Sequence, residues 1–182
     1  MKDNSKDIKI ILIGEEKVGK TSIFSRICCE QFHYSYESTR LGAITDKYIQ
    51  FDEHFDTIKL VLWDTPGKQN LREITPVKFN NFNVVFIVFN ISNKNSYIEA
   101  IDYWFKTAKE YQKNEVIICL VANYCEVDEA YEVSIEELTR FANENNVQLY
   151  MISALHDIGI KEMIKDITSK YIQLNSNYKL GK

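Results

Sequence analysis

Eight residues, Gly14-Glu15-Glu16-Lys17-Val18-Gly19-Lys20-Thr21, match G-x-x-x-x-G-K-[ST], and that spacing has a mechanical reason. A loop that curls its backbone N–H groups around a phosphate needs small residues at both ends and a helix N-terminus behind it. Gly14, Glu16, Lys17, Val18 and Gly19 are then candidates to line the phosphate. Lys20 supplies a point charge to the β- and γ-phosphates, Thr21 a hydroxyl to Mg²⁺, and Ser22 completes the set. Lys17 occupies a variable loop position from which its side chain is expected to point to solvent. The chain has only six glycines, and two of them stand where this loop demands them.

Three further groups stand at the ends of strand-like runs. Asp64-Thr65-Pro66-Gly67 ends a strand-like run, where an acidic residue can hold Mg²⁺ through a water and the Gly67 N–H can meet a γ-phosphate. Asn123-Tyr124-Cys125-Glu126 and Ser153-Ala154-Leu155 each follow an apolar, β-branched run.

The elements that must position these residues follow from periodicity. Ile8 to Ile13 reads as a strand, and Ile23, Phe24 and Ile27 mark one face of a helix from Thr21 to about Cys29. Residues 30 to 41 have no clean period. Strand-like runs at Ile44–Phe51 and Thr57–Trp63 flank a hairpin-like connection. Val84–Phe89, Val116–Ala122 and Gln148–Ile152 read as buried strands. Helical patterns cover Ser96–Tyr111, Ser134–Asn145, which opens with a Ser134/Glu137 capping box, and Ile158–Ile172. Strands alternating with helices predict an α/β fold, a largely parallel sheet covered on both faces. Ligands bind such sheets at the carboxyl ends of the strands, and Gly14, Asp64, Asn123 and Ser153 are all expected just past such an end.

Composition bounds the rest. With 182 residues, 45% of them hydrophobic, one domain is expected, spanning 8–174 between an N-terminal extension 1–7 and a tail 175–182. A formal charge of −4 without a basic block argues against a nucleic-acid partner. Cys28, Cys29, Cys119 and Cys125 lack C-x-x-C spacing and are expected as free thiols in a reducing cytosol. The N-terminus is polar and no apolar run approaches 18 residues, so the chain is expected to be neither secreted nor membrane-spanning.

In order and in detail these motifs resemble the Ras-like small GTPases, and specifically the Rab subfamily, over Ile8 to about Tyr171. The most telling pieces are Gly14 to Thr21, Trp63 to Gly67, Arg72-Glu73-Ile74-Thr75 with Phe79, Asn90-Ile91-Ser92 to Ser96-Tyr97 with Trp104 beyond, Asn123 to Glu126, and Ser153-Ala154. The resemblance implies a single P-loop GTPase domain with six strands, mostly parallel, and five helices. It implies GTP/GDP and Mg²⁺ as ligands, GTP hydrolysis, and a nucleotide-dependent switch in vesicle trafficking. Effectors, exchange factors and GTPase-activating proteins would bind through two switch loops at 30–45 and 66–82. The location implied is cytoplasmic and peripheral on an endomembrane. Family members carry prenylated cysteines on their tails, and no cysteine follows Cys125, so membrane attachment is expected only through a lipidated tail beyond these residues.

The departures from the family pattern are specific. Its base motif N-K-x-D is here Asn123, Tyr124 and Glu126: the charge is kept on a side chain one methylene longer, and Tyr124 stands where Lys packs along the base. Ser153-Ala154-Leu155 replaces S-A-K, keeping the Ala154 N–H that faces guanine O6. Phe32 and His33 compete for the aromatic edge on the base. The switch I metal ligand falls on Thr39 or, in the other alignment, Arg40, with Thr39 preferred because a loop absorbs one residue more cheaply than Mg²⁺ loses an oxygen. Lys68 stands where the family places the Gln that orients the attacking water, with Gln69 one position on, so Lys68 and Gln69 are the candidate catalytic positions and intrinsic hydrolysis is expected to be slow. The competing readings are a pseudo-GTPase interaction module with weak or no turnover, and a P-loop ATPase or kinase, which would give Asn123, Glu126 and Ser153-Ala154 no task.

Overall fold

A computed structural model describes residues 7–29, 42–50, 57–66, 81–111, 116–126 and 131–175. Six strands form one sheet: β1 (Asp7–Ile13), β2 (Ala43–Ile49), β3 (Ile58–Asp64), β4 (Val84–Asn90), β5 (Ile117–Asn123) and β6 (Gln148–Met151), in the order β2-β3-β1-β4-β5-β6. Every pairing is parallel except β2 with β3, which is antiparallel from Ala43↔Asp64 to Ile49↔Ile58, as a hairpin requires. The expected connection at 52–56 itself lies outside the described residues.

Alternation along the strands divides the core in two. Ile8, Ile10 and Leu12 of β1, with Leu60, Leu62, Phe86 and Val121, pack under α1 (Lys20–Cys29) and α5 (Ile160–Leu174). Ile11 and Ile13, with Val85, Ile87, Phe89 and Leu120, face a long helical body and α4 (Ile135–Asn145). The near-continuous apolar runs of β4 and β5 follow from burial on both faces. Of the five helices the resemblance implies, four helical bodies fall within the described residues.

That long body departs from the expected uniform helix over Ser96–Tyr111. It runs continuously through α2 (Lys94–Glu99), a π-helical segment (Ala100–Phe105) and α3 (Lys106–Tyr111). Its buried stripe includes Ser96, Ala100, Trp104 and Ala108, spaced by four. In an α-helix such a stripe drifts by about 40° per step. The wider π turn absorbs the drift and keeps Trp104 against the sheet. Ile98, on the face away from that stripe, is exposed.

Two boundaries also differ. Asp64 and Asn123 are the last residues of their strands rather than the first beyond them, because the ladders continue to Leu12↔Asp64 and Asn90↔Asn123. The closing helix starts at Ile160, not Ile158, since an antiparallel bridge between Ser153 and Ile158 closes a turn and Gly159 enters the helix in the left-handed region. Ser134 caps α4, accepting a hydrogen bond from the Glu137 N–H at 3.1 Å.

Candidate functional site

The loop between β1 and α1 is held in its curl by three positive φ angles, at Gly14 (142°), Lys17 (64°) and Gly19 (92°). A Cβ on Gly14 would lie 2.1 Å from the Val88 carbonyl oxygen, and one on Gly19 would lie 2.2 Å from Asn123 Nδ2. Both approaches need glycine, for conformation and for space. The Ile23 N–H donates to the Gly19 carbonyl at 2.9 Å, which starts the helix behind the loop. Lys17 and Glu16 are exposed, Val18 is buried, Ser22 is half-buried and Thr21 faces solvent.

Lys20 is 5% exposed, and its ammonium donates to the carbonyls of Gly14 at 2.9 Å and Glu15 at 2.5 Å. Burial pushes its pKa down to about 8, against the opposing pull of Asp64, Glu15 and Glu16. The Thr21 hydroxyl donates to Asp64 Oδ2 at 2.7 Å, and the second carboxylate oxygen, Oδ1, is enclosed beside it. Thr65 fixes the chain beyond Asp64 by donating its hydroxyl to the Leu12 carbonyl at 2.7 Å, so the end of β3 is tied to the end of β1.

Asn123 forms the hinge to the other half. Buried at 2% exposure, its Nδ2 donates to the Val18 carbonyl at 3.0 Å while its Oδ1 accepts from the Ala154 N–H at 3.0 Å. One amide side chain therefore joins the phosphate loop, β5 and the turn after β6. The Ala154 N–H, expected to face guanine O6, is thus engaged inside the protein, and a base carbonyl would have to share it. Tyr124 adopts a left-handed backbone (φ 69°), and its hydroxyl donates to the Lys17 carbonyl at 3.3 Å. Glu126 is half-buried, with Oε2 enclosed and accepting no hydrogen bond among the described residues. Ser153 accepts from the His156 N–H through its hydroxyl at 3.1 Å, shaping the turn that carries Ala154 and Leu155.

The structure thus brings together Gly14 to Ser22, Asp64, Asn123, Tyr124, Glu126 and Ser153 to Leu155 at the carboxyl edge of the sheet. Phe32, His33, Thr39, Arg40, Gly67, Lys68 and Gln69 lie outside the described residues. Three contributors take part through contacts that no local signature predicts. Arg26 of α1 donates from Nε to the Ala154 carbonyl (2.8 Å) and from Nη2 to the Leu155 carbonyl (2.7 Å), locking the turn after β6 to α1. Trp104 and Glu15 meet in a further contact, the indole N–H donating to Glu15 Oε1 at 2.9 Å. All three pair with residues far along the chain, which motif spacing cannot register.

A six-stranded α/β sheet with a phosphate-loop motif between β1 and α1, an acidic β3 end and a loop after β5 tethered by Asn123 defines the class of P-loop proteins. The family model described as "Ras: Ras family" matches residues 9–173, and the chain belongs to that family, as a divergent Rab-like small GTPase. It is 28% identical over 177 residues to Ras-related protein Rab-21 of Dictyostelium discoideum, covering 97% of this chain and 82% of that protein. Against Rab-21 of Bos taurus identity is 27% over 165 residues, covering 91% and 73%. The Homo sapiens protein gives 27% over the same length, covering 91% and 72%. No helix among the described residues is long and apolar enough to cross a membrane.

Proposed function

We propose that this small GTPase binds GDP and GTP with Mg²⁺ through the residues gathered above, turns over GTP slowly, and acts as a switch in vesicle trafficking on an endomembrane. The observation that carries the reading is the Thr21–Asp64 pair: a hydroxyl on one carboxylate oxygen at 2.7 Å and a second oxygen buried beside it. Mg²⁺ in such sites takes one or two protein oxygens plus phosphates and waters, and Thr21 and Asp64 suit that role, with Thr39 as the expected third. When bound, the ion would supply positive charge to the nucleotide's phosphates. Gly14 to Gly19 would cradle the phosphates, Lys20 would steady their charge, and Ser22 would follow on the first turn. The enclosed Glu126 Oε2 suits a carboxylate kept for guanine N1 and N2 donors. Tyr124, Asn123, Ser153, Ala154 and Leu155 would frame the base, with Phe32 at its edge.

In this reading Lys68 makes hydrolysis slow, because an ammonium has no acceptor oxygen with which to align a water. The Gly67 N–H would meet the γ-phosphate. Protein partners would read the segments 30–45 and 66–82.

Two experiments test this. Mass spectrometry of the co-purifying nucleotide should find GDP or GTP, and titration should favour GDP over ADP; equal affinity for both sinks the guanine assignment. Single-turnover phosphate release should rise in Lys68→Gln and hold nearly constant in Gln69→Ala. A strong loss in Gln69→Ala with no gain in Lys68→Gln would mean that Gln69 has taken over the water. No measurable turnover in any variant would favour the interaction-module alternative.

A further inference from the structure

We propose that Glu15 is a positioning residue for the phosphate loop, its carboxylate anchored by the buried indole of Trp104 so that it does not compete with the bound nucleotide for Lys20. The proposal rests on the nucleotide-binding reading above and concerns how firmly that nucleotide is kept.

Two contacts of Glu15 bear on the loop. Its carbonyl accepts from the Lys20 ammonium at 2.5 Å, and its Oε1 accepts from Trp104 Nε1 at 2.9 Å. Trp104 is fully buried, and it reaches this position because the π-helical segment Ala100–Phe105 corrects the drift of the stripe it belongs to. Tyr103 packs against it edge-on, with centroids 4.9 Å apart and planes at 82°. The donor is therefore fixed by the core and not by the loop.

A carboxylate in a phosphate loop is an electrostatic liability. It repels a polyphosphate and attracts the buried cation that the phosphates need, and Glu15 is among the charges that pull on Lys20. An indole N–H is a neutral donor, so it leaves the charge in place but fixes its direction toward the long helical body. Without the indole, the carboxylate loses the bond that directs it away from Lys20, and it can swing toward Lys20 and take the place of a phosphate oxygen. This contact thereby couples a helix of the opposite core layer to the rate of nucleotide release. The π turn at Trp104 fits the tendency of such turns to mark functional positions.

The test uses release of fluorescently labelled GDP from the full chain at saturating Mg²⁺. Glu15→Asp keeps the charge but is a methylene too short to reach the indole, and should speed release about tenfold. Glu15→Gln removes the charge and should slow release about threefold. Trp104→Phe should speed release about tenfold in the otherwise wild-type chain, and by less than twofold in a chain that also carries Glu15→Gln. If Trp104→Phe speeds release equally in both chains, the tryptophan acts by packing alone and the proposal falls. Because Trp104→Phe alters the core, the two single substitutions of Glu15 also stand by themselves. Glu15→Asp releasing at the wild-type rate, or Glu15→Gln matching Glu15→Asp, overturns the proposal. In ¹⁵N-labelled wild type the Trp104 indole proton should resonate downfield and move upfield in Glu15→Asp; an unmoved signal also overturns it. A wild type that binds no guanine nucleotide would refute the nucleotide reading itself, an outcome distinct from all of these.

Discussion

In the proposed nucleotide site, the phosphate end is one continuous run, Gly14 to Thr21, whereas the base end is assembled from α1, β5 and the turn after β6. Val18 and Asn123, which meet through a single amide, are 105 positions apart, and Arg26 lies 128 positions from Ala154. The two ends also differ in how closely they follow the family pattern. The phosphate loop keeps every demanded residue, because its chemistry is done by backbone geometry and one cation. The base end departs at Tyr124, Glu126 and Leu155, and the structure shows what remains: Asn123 still ties the segments, and Tyr124 reaches the Lys17 carbonyl with its hydroxyl. A backbone cradle has few solutions, while a side-chain frame can be rebuilt from several.

Lys20→Ala should sharpen that contrast most. Each charge-assisted hydrogen bond to phosphate contributes about 1.5–3 kcal/mol, so the loss should weaken GDP binding at least about tenfold and GTP binding, where Lys20 would meet the γ-phosphate as well, at least about a hundredfold. Titration calorimetry measures this directly. Affinity within a few-fold of wild type would force the phosphate assignment to be abandoned.

Asn123→Ala strikes the junction between the two ends. It strips partners from the buried Val18 carbonyl and Ala154 N–H, at about 1–3 kcal/mol each. Urea unfolding of the nucleotide-free protein should therefore show a stability loss of about 2–6 kcal/mol, with GDP affinity down more than about tenfold. An affinity loss without a stability loss would mean that Asn123 touches the ligand and does not join the segments.

Titration of Lys20 separates ligand binding from folding, because the two depend on pH with opposite sign. Its folded pKa, about 8, lies below its ordinary value of 10.5. Phosphate needs the ammonium, so GDP affinity should be full below about pH 8 and fall by up to about tenfold per unit above it. In the nucleotide-free protein the folded state prefers the neutral amine. That contribution to stability is present above pH 10.5 and is lost as pH falls through about 8, so stability rises with pH between those values. Binding and melting profiles from about pH 7 to about pH 10, compared with Lys20→Ala, check both slopes; an affinity independent of pH across that range contradicts the assignment.

Tyr124→Phe should give the smallest effect. The hydroxyl bond is 3.3 Å long and the residue is 37% exposed, so its loss should speed GDP release by no more than about threefold. A tenfold change would show that Tyr124 holds the loop closed and does more than face the base.

The sequence alone determined the sheet, its strand positions within a residue or two, the phosphate loop, and which turns share an edge. Each of these is written in local terms: a period of two or 3.6, a glycine where φ must be positive, an acid at a strand end. It also identified Lys68, Tyr124, Glu126 and Leu155 among the points of departure. Tertiary structure alone decided the π turn under Trp104, the engagement of the Ala154 N–H by Asn123, the lock of Arg26 on the turn after β6, and the Glu15–Trp104 bond. These are pairings between residues far apart in the chain, where one side chain's partner depends on how the layers stack and which buried polar groups remain to be satisfied. No spacing along the sequence encodes that.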